Sequence, residues 1–348
     1  MATNGLMGFE FCLENPWNLM WDLVDPRVPS FKQLTHRSHT SYCKQPGGHA
    51  TPYRKNTVFA STIEPSTPLP APCCPSDPCR FSKLTGKHPK TISVPAGEDP
   101  ERGVNNYYVR SKIPHVIPAN YVEAVADKHF ELGATHLLVV DLFSGGETVA
   151  DGLNLFRRRT RGQRWLQRKN GRRHLAYVSV DYNEHCAPKL MRDLSEVDLD
   201  DVIDDAILAA RWSAHRSTMV VLVWASPPCE SFSFLNFGTN SAKGGKRRRG
   251  WEDNYRAMPG SKGSEERSTD KMVVRVISWA MRTVRHFEWK ARQERNKILV
   301  AAKQASREKK RIAELARKAK RAIRLGASAS SEVSEIVNAA TLLTRLAN

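Results

Sequence analysis

VVDLFSGGE, Val139–Glu147, and ASPPCESFS, Ala225–Ser233, decide the fold expected of this chain. Each follows a run of apolar, β-branched residues suited to a strand buried on both faces. Each segment therefore begins where a strand ends, the edge at which open α/β sheets bind ligands. In the first, Gly145 and Gly146 let the backbone turn tightly and approach a ligand with no side chain between. The helix expected next offers free N–H groups at its amino end. In the second, two prolines fix the backbone so that Cys229 projects from the strand end. Together they imply a nucleotide-like cofactor beside a nucleophilic thiol.

Outward from these segments, periodicity predicts a helix from about Asn120 to Gly133 and a strand at His136–Asp141. A helix at Glu147–Arg157, a strand at His174–Asp181, a helix at Leu199–Trp212 and a strand at Met219–Trp224 follow. Helix resumes at Thr269–Trp289. From Lys290 to Leu325 the chain is rich in Ala, Lys and Arg, with weak heptads at Ile298, Ala305, Ile312 and Ala319. A basic single helix or feeble coiled coil is expected there. No further apolar strand is read anywhere. Residues 1–118 contain runs such as PSTPLPAPCCPSDPC that frustrate both helix and strand, and are expected to be largely disordered. Phe9–Val24 is the exception, aromatic enough to dock on a partner or on the core. The expected organisation is a Pro-rich region at 1–118, a partial α/β domain at 119–289 with a mobile basic loop at 238–269, and a helical tail at 290–348.

The formal charge of +18 is concentrated. Arg157–Arg173 carries nine basic residues and no acids, Lys243–Arg249 adds five, and His286–Leu325 carries fourteen against four acids. Localised positive charge of this kind suits a polyanion, with DNA favoured over RNA, although most charge runs are solvated faces. The longest apolar runs are too short to span a bilayer, so no membrane is expected. No basic region followed by an apolar core opens the chain, so a secretory signal is not expected. Seven unevenly spaced cysteines do not form a disulfide framework and fit an intracellular setting, the nucleus in a eukaryote. Cys73, Cys74 and Cys79, with Cys43, His36 and His39 upstream, could ligate zinc. They lack paired CxxC spacing, so the expectation is a linker with no metal.

The chemistry of the two segments is specific. At the end of the second strand, Asp181 can accept hydrogen bonds from both hydroxyls of a ribose, and Asp193 could meet an adenine amino group. Cytosine carbon 5 is weakly nucleophilic. Thiolate addition at carbon 6 makes it enamine-like and able to attack an electrophilic methyl group. A base in a duplex must first leave the stack.

These segments resemble motifs of S-adenosylmethionine-dependent DNA cytosine-5 methyltransferases. DLFSGGE is similar to their cofactor loop and PPCESFS to the loop bearing their attacking thiol. The resemblance covers Thr135–Ser233. It implies a Rossmann-like class I methyltransferase sheet, here incomplete. Asp141, Phe143, Ser144, Gly145, Gly146, Asp181 and Asp193 would shape the S-adenosylmethionine site. Cys229 would be the nucleophile, with Pro228 and Ser233 holding its loop. The pattern departs from the family at Ser226 and Glu230. No Glu-Asn-Val segment follows, although its glutamate would contact the cytosine ring nitrogen and assist addition. Glu288 stands near the expected approach to that strand, but the strand itself is missing. The alternatives are a catalytically dead nucleic-acid-binding relative, and methylation of RNA cytosine or of an exocyclic amino group.

Overall fold

The computed structural model describes residues 5–16, 28, 36–46, 50, 55–86, 88, 113–144, 148–167, 173–227 and 264–324. The strands are β1 (Gly8–Pro16), β2 (His36–Ser41), β3 (Asn56–Ser61), β4 (His136–Leu142), β5 (His174–Asp181), β6 (Leu190–Met191) and β7 (Met219–Ala225). The helices are α1 (Arg80–Thr85), α2 (Val116–Glu131), α3 (Thr148–Arg158), α4 (Thr160–Leu166), α5 (Leu199–Ala209) and α6 (Ser264–Arg324). The strands form one mostly parallel sheet in the order β2-β3-β1-β7-β4-β5-β6, a Rossmann-like α/β arrangement.

The apolar runs behave as their composition requires. β4 (HLLVVDL) and β7 (MVVLVWA) are buried along their whole lengths and pair in parallel at the centre of the sheet. α5 starts at the N-cap Asp198, whose side chain accepts from the Asp200 N–H. Asp200 and Asp201 then place negative charge at the positive end of the helix dipole.

The region before residue 119 departs from expectation. It supplies β1, β2 and β3, so the sheet does not stop at β7. β1 runs parallel to β7 on one side and antiparallel to β3 on the other, which makes the first strand of the chain an interior one. Phe9, Phe11 and Leu13 lie opposite Val221, Val223 and Ala225, and all are buried. Glu10, Cys12 and Glu14 alternate with them and face the side covered by α2.

Glu10 is buried because α2 neutralises it. Lys128 Nζ lies 2.6 Å and His129 Nε2 2.7 Å from its carboxylate. Burial pushes the Glu10 carboxyl up, but the bonds and charges of His129 and Lys128 outweigh it and hold the group below its ordinary value. Close approach is required here, since a Cβ on Gly8 would stand 2.6 Å from the His129 ring. The same face holds an aromatic cluster. Trp224 of β7 meets Tyr121 of α2 at 5.6 Å between ring centroids and Phe59 of β3 at 5.8 Å.

The other face is covered by α5 and the first part of α6. Phe9 meets Trp279 edge-on at 5.6 Å, Trp279 Nε1 donates to Asp200 at 3.2 Å, and Arg275 donates to the carbonyl of Ser195. Residue contacts divide the chain into a unit ending at Arg285 and a second beginning at His286. In the second unit residues 291–311 are exposed all round, with ion pairs along the helix such as Glu294–Lys297 and Glu314–Lys318. Among the described residues no helix is long and apolar enough to cross a membrane.

Candidate functional site

The chain leaves β4 toward β5 and β6, then returns to β7 on the opposite side of β4. Such a reversal opens a crevice at the carboxyl ends of the two central strands. Leu142 lies opposite Ala225, and the Ser226 N–H donates to the Leu142 carbonyl at 3.2 Å. Trp224 Nε1 donates to Ser226 Oγ at 3.1 Å, so the base of the Pro-Pro loop is tied to the core. The two loops that carry the motifs therefore start side by side.

On the β4 side, Phe143 adopts a left-handed backbone, with φ of 62°. Such a conformation in a non-glycine residue costs about 1–3 kcal/mol and concentrates at functional sites. It is held because the N–H groups of Phe143 and Ser144 both donate to the Val180 carbonyl, at 3.0 and 3.3 Å. Ser144 Oγ is buried and has no hydrogen-bond partner among the described residues. A buried hydroxyl of this kind is a ready contact for a polar ligand. Asp141 is buried and accepts from Tyr177 Oη at 2.8 Å. Asp181, at the end of β5, accepts from the Asn183 N–H at 3.0 Å. Asp193 stands two residues beyond β6, exposed, with Oδ1 accepting from both the N–H and the hydroxyl of Ser195. Asp141, Phe143, Ser144 and Asp181 are thus gathered at one sheet edge. Gly145, Gly146, Pro228, Cys229 and Ser233 lie outside the described residues.

The other side of β7 holds what sequence reasoning missed. β1 ends in Leu13-Glu14-Asn15-Pro16, a strand that carries Glu-Asn at the carboxyl edge. Leu13 lies opposite Ala225, so Glu14 and Asn15 come level with the start of the Pro-Pro loop. Asn15 Nδ2 donates to the Pro227 carbonyl at 3.1 Å, within the buried interior. Glu14 is buried and accepts from Tyr42 Oη at 2.8 Å, and Lys55 Nζ stands 3.4 Å from the same oxygen. Lys55 also lies over the Tyr42 ring. No Glu-Asn-Val segment is read after Trp289; a Glu-Asn pair instead ends β1. Glu288 is an exposed residue of helix α6, not of a strand.

Two further expectations meet the structure. Four of the nine basic residues of the Arg157–Arg173 run make contacts within the fold. Arg157 donates to the Leu175 carbonyl, Arg159 and Arg161 pair with Glu123, and Arg173 stacks on Phe130. The cysteines at 43, 73 and 79 do not sit in an unstructured linker. They converge with His88, whereas Cys74 stands apart, His36 pairs with Glu64, and His39 is exposed on β2. No protein-family model matches the chain, and no curated protein matches it.

Proposed function

We propose that this chain is an S-adenosylmethionine-dependent DNA cytosine-5 methyltransferase in which the two halves of the catalytic domain occur in exchanged order. The observation that carries the reading is the Asn15–Pro227 hydrogen bond. It joins a strand ending in Glu-Asn to the loop that carries Pro-Pro-Cys, the pair of segments the resemblance requires as neighbours. The second half is not lost. It precedes the first in the chain and rejoins it through β1.

In this reading Cys229 adds to cytosine carbon 6, and positive potential or a helix amino end near the thiol would favour its ionisation. Glu14, as the carboxylic acid, donates its proton to the ring nitrogen and so offsets the negative charge that thiolate addition builds on the ring. Tyr42 and Lys55 fix the Glu14 carboxyl group, and Asn15 fixes the thiol loop relative to it. The orphaned Ser144 hydroxyl, the strained Phe143 backbone and the carboxylate of Asp181 fit a cofactor with a ribose and polar termini. S-adenosylmethionine bound there supplies an electrophilic methyl group. The basic second unit contributes phosphate contacts, which hold DNA without choosing its sequence.

Trapping on duplex DNA containing 5-fluorocytosine tests the proposal. Cys229→Ala abolishes the covalent complex, and Glu14→Gln slows its formation by about 10²-fold or more, within the usual range for proton-transfer groups. A complex that persists in Cys229→Ala removes the thiol from the reaction. Salt-sensitive DNA binding with no complex in the parent chain leaves the catalytically dead reading. Transfer to RNA or to an exocyclic amine, detected in the products, leaves the other alternative.

A further inference from the structure

We propose that Cys43, Cys73, Cys79 and His88 form a structural zinc site that locks the segment after β3 onto the turn after β2. The four ligand atoms all lie within 4.8 Å of one another. His88 Nε2 stands 3.7 Å from Cys73 Sγ and 3.2 Å from Cys79 Sγ. A tetrahedral zinc ion with Zn–S near 2.3 Å and Zn–N near 2.05 Å separates its sulfur and nitrogen ligands by about 3.6 Å. The observed spacings bracket that edge.

The donors come from four places in the chain. Cys43 lies in the short 3-10 turn Tyr42–Lys44, Cys73 in the loop after β3, and Cys79 caps the amino end of α1. His88 follows Gly86, which ends α1 in a left-handed conformation at φ of 68°. All three thiols are free and buried, and His88 is half-buried. Thiolate and imidazole are the donor set of zinc rather than of magnesium or calcium. Four protein donors leave no open position, so the site is structural rather than catalytic.

The surroundings support this assignment. The Cys79 N–H donates to Cys73 Sγ at 3.3 Å, and the Cys73 N–H donates to Ser41 Oγ at 2.8 Å. The first is a donor of the type that stabilises a metal-bound thiolate, and the second fixes the Cys73 backbone. The segment has almost no apolar core of its own. Among the described residues only Phe81 packs against the three cysteines, α1 is six residues long, and Leu84 is 86 % exposed. A metal commonly replaces the missing core in such segments. Cys74 is excluded by position, in a turn bridged to Asp77.

Binding releases the protons of the three thiols to solvent and uses the lone pair of neutral His88 Nε2 as the fourth donor. Lys44, next to Cys43, pairs with Asp77 of the segment after β3, while Tyr42, on the other side of Cys43, holds Glu14. The site therefore braces the residues behind Glu14, but its existence is independent of any methyl transfer.

The test is elemental analysis of the full-length chain purified from zinc-replete cells without chelator. About one zinc per chain is expected. Cys74→Ser retains it, and Cys43→Ser and Cys79→Ser fall at least about fivefold. Should those variants fail to fold, cobalt exchange into the parent chain gives a second readout. The visible ligand-field and thiolate charge-transfer bands of a tetrahedral, sulfur-rich site are expected. A cooperatively folded parent chain with no metal and no cobalt bands overturns the proposal. So does iron in place of zinc, a disulfide among Cys43, Cys73 and Cys79 in freshly alkylated protein, or loss of metal in Cys74→Ser equal to that in Cys79→Ser.

Discussion

Removing residues 1–16 tests the architecture most directly, because they belong to a region expected to be largely disordered and the sheet makes β1 central. β1 buries Phe9, Phe11 and Leu13 almost completely. At about 1.5–3 kcal/mol for each large apolar side chain, burial of these three contributes roughly 5–9 kcal/mol. A folded domain has only about 5–15 kcal/mol in total. The deletion also strips the ladder from one side of β7 and leaves β2 and β3 with no strand linking them to the rest of the sheet. Circular dichroism and thermal melting of the shortened chain should therefore show no cooperative transition. A milder version is Phe11→Ala, expected to cost about 3–5 kcal/mol and to lower Tm by roughly 10 °C. A shortened chain that still melts cooperatively, within a few degrees of the parent, would refute the placement of β1.

Truncation after Trp289 should leave the Tm of the first unit unchanged and flatten the salt dependence of DNA binding, read as the slope of log affinity against log salt. Ser144→Val and Asp181→Ala should each weaken S-adenosylmethionine binding about tenfold or more in calorimetry while leaving the fold intact. The amino edge of the sheet should confer acid sensitivity. His136 is buried between the rings of His174 and His215, at 4.6 and 4.2 Å, and burial, with its two histidine neighbours, depresses its pKa to about 4. Unfolding frees it to protonate near 6.5, so stability is complete above that value and falls progressively toward pH 4, by up to ~3 kcal/mol. Chemical denaturation at pH 7 and pH 4.5 should show this loss, and His136→Phe should reduce it.

Sequence patterns disclosed the elements whose signals are local. β4, β5 and β7 are short apolar runs, and α5 carries its own cap and first-turn acids. β1 does alternate with period two, but its inward positions include Glu10 and Glu14, which read as solvent-facing. Their burial depends on Lys128 and His129, over a hundred residues away, and on Tyr42 and Lys55. β2 (HRSHTS) is a polar edge strand with no apolar run to betray it. Of the candidate site, the shared sheet edge of Asp141, Phe143, Ser144 and Asp181 was legible because these residues are contiguous with β4 and β5. The Glu-Asn side was not, because its position is defined only by pairing with a strand two hundred residues later. The convergence of Cys43, Cys73 and Cys79 with His88, in place of His36 and His39, was hidden for the same reason. Cys43 meets Cys73 and Cys79 only after β2 and β3 have paired.

The pairing of β1 with β7 also sets the schedule of folding. On the ribosome, β1 emerges long before β7 and must wait until residues 219–225 have been synthesised before its permanent neighbour exists. Until then Phe9, Phe11 and Leu13 form an adhesive stretch on the growing chain, a state prone to aggregation and to chaperone capture. Closing so long a span also makes final assembly slow relative to a sheet laid down in sequence order. Fusing a partner to the amino end should therefore impede maturation more than the same fusion placed after the basic helix.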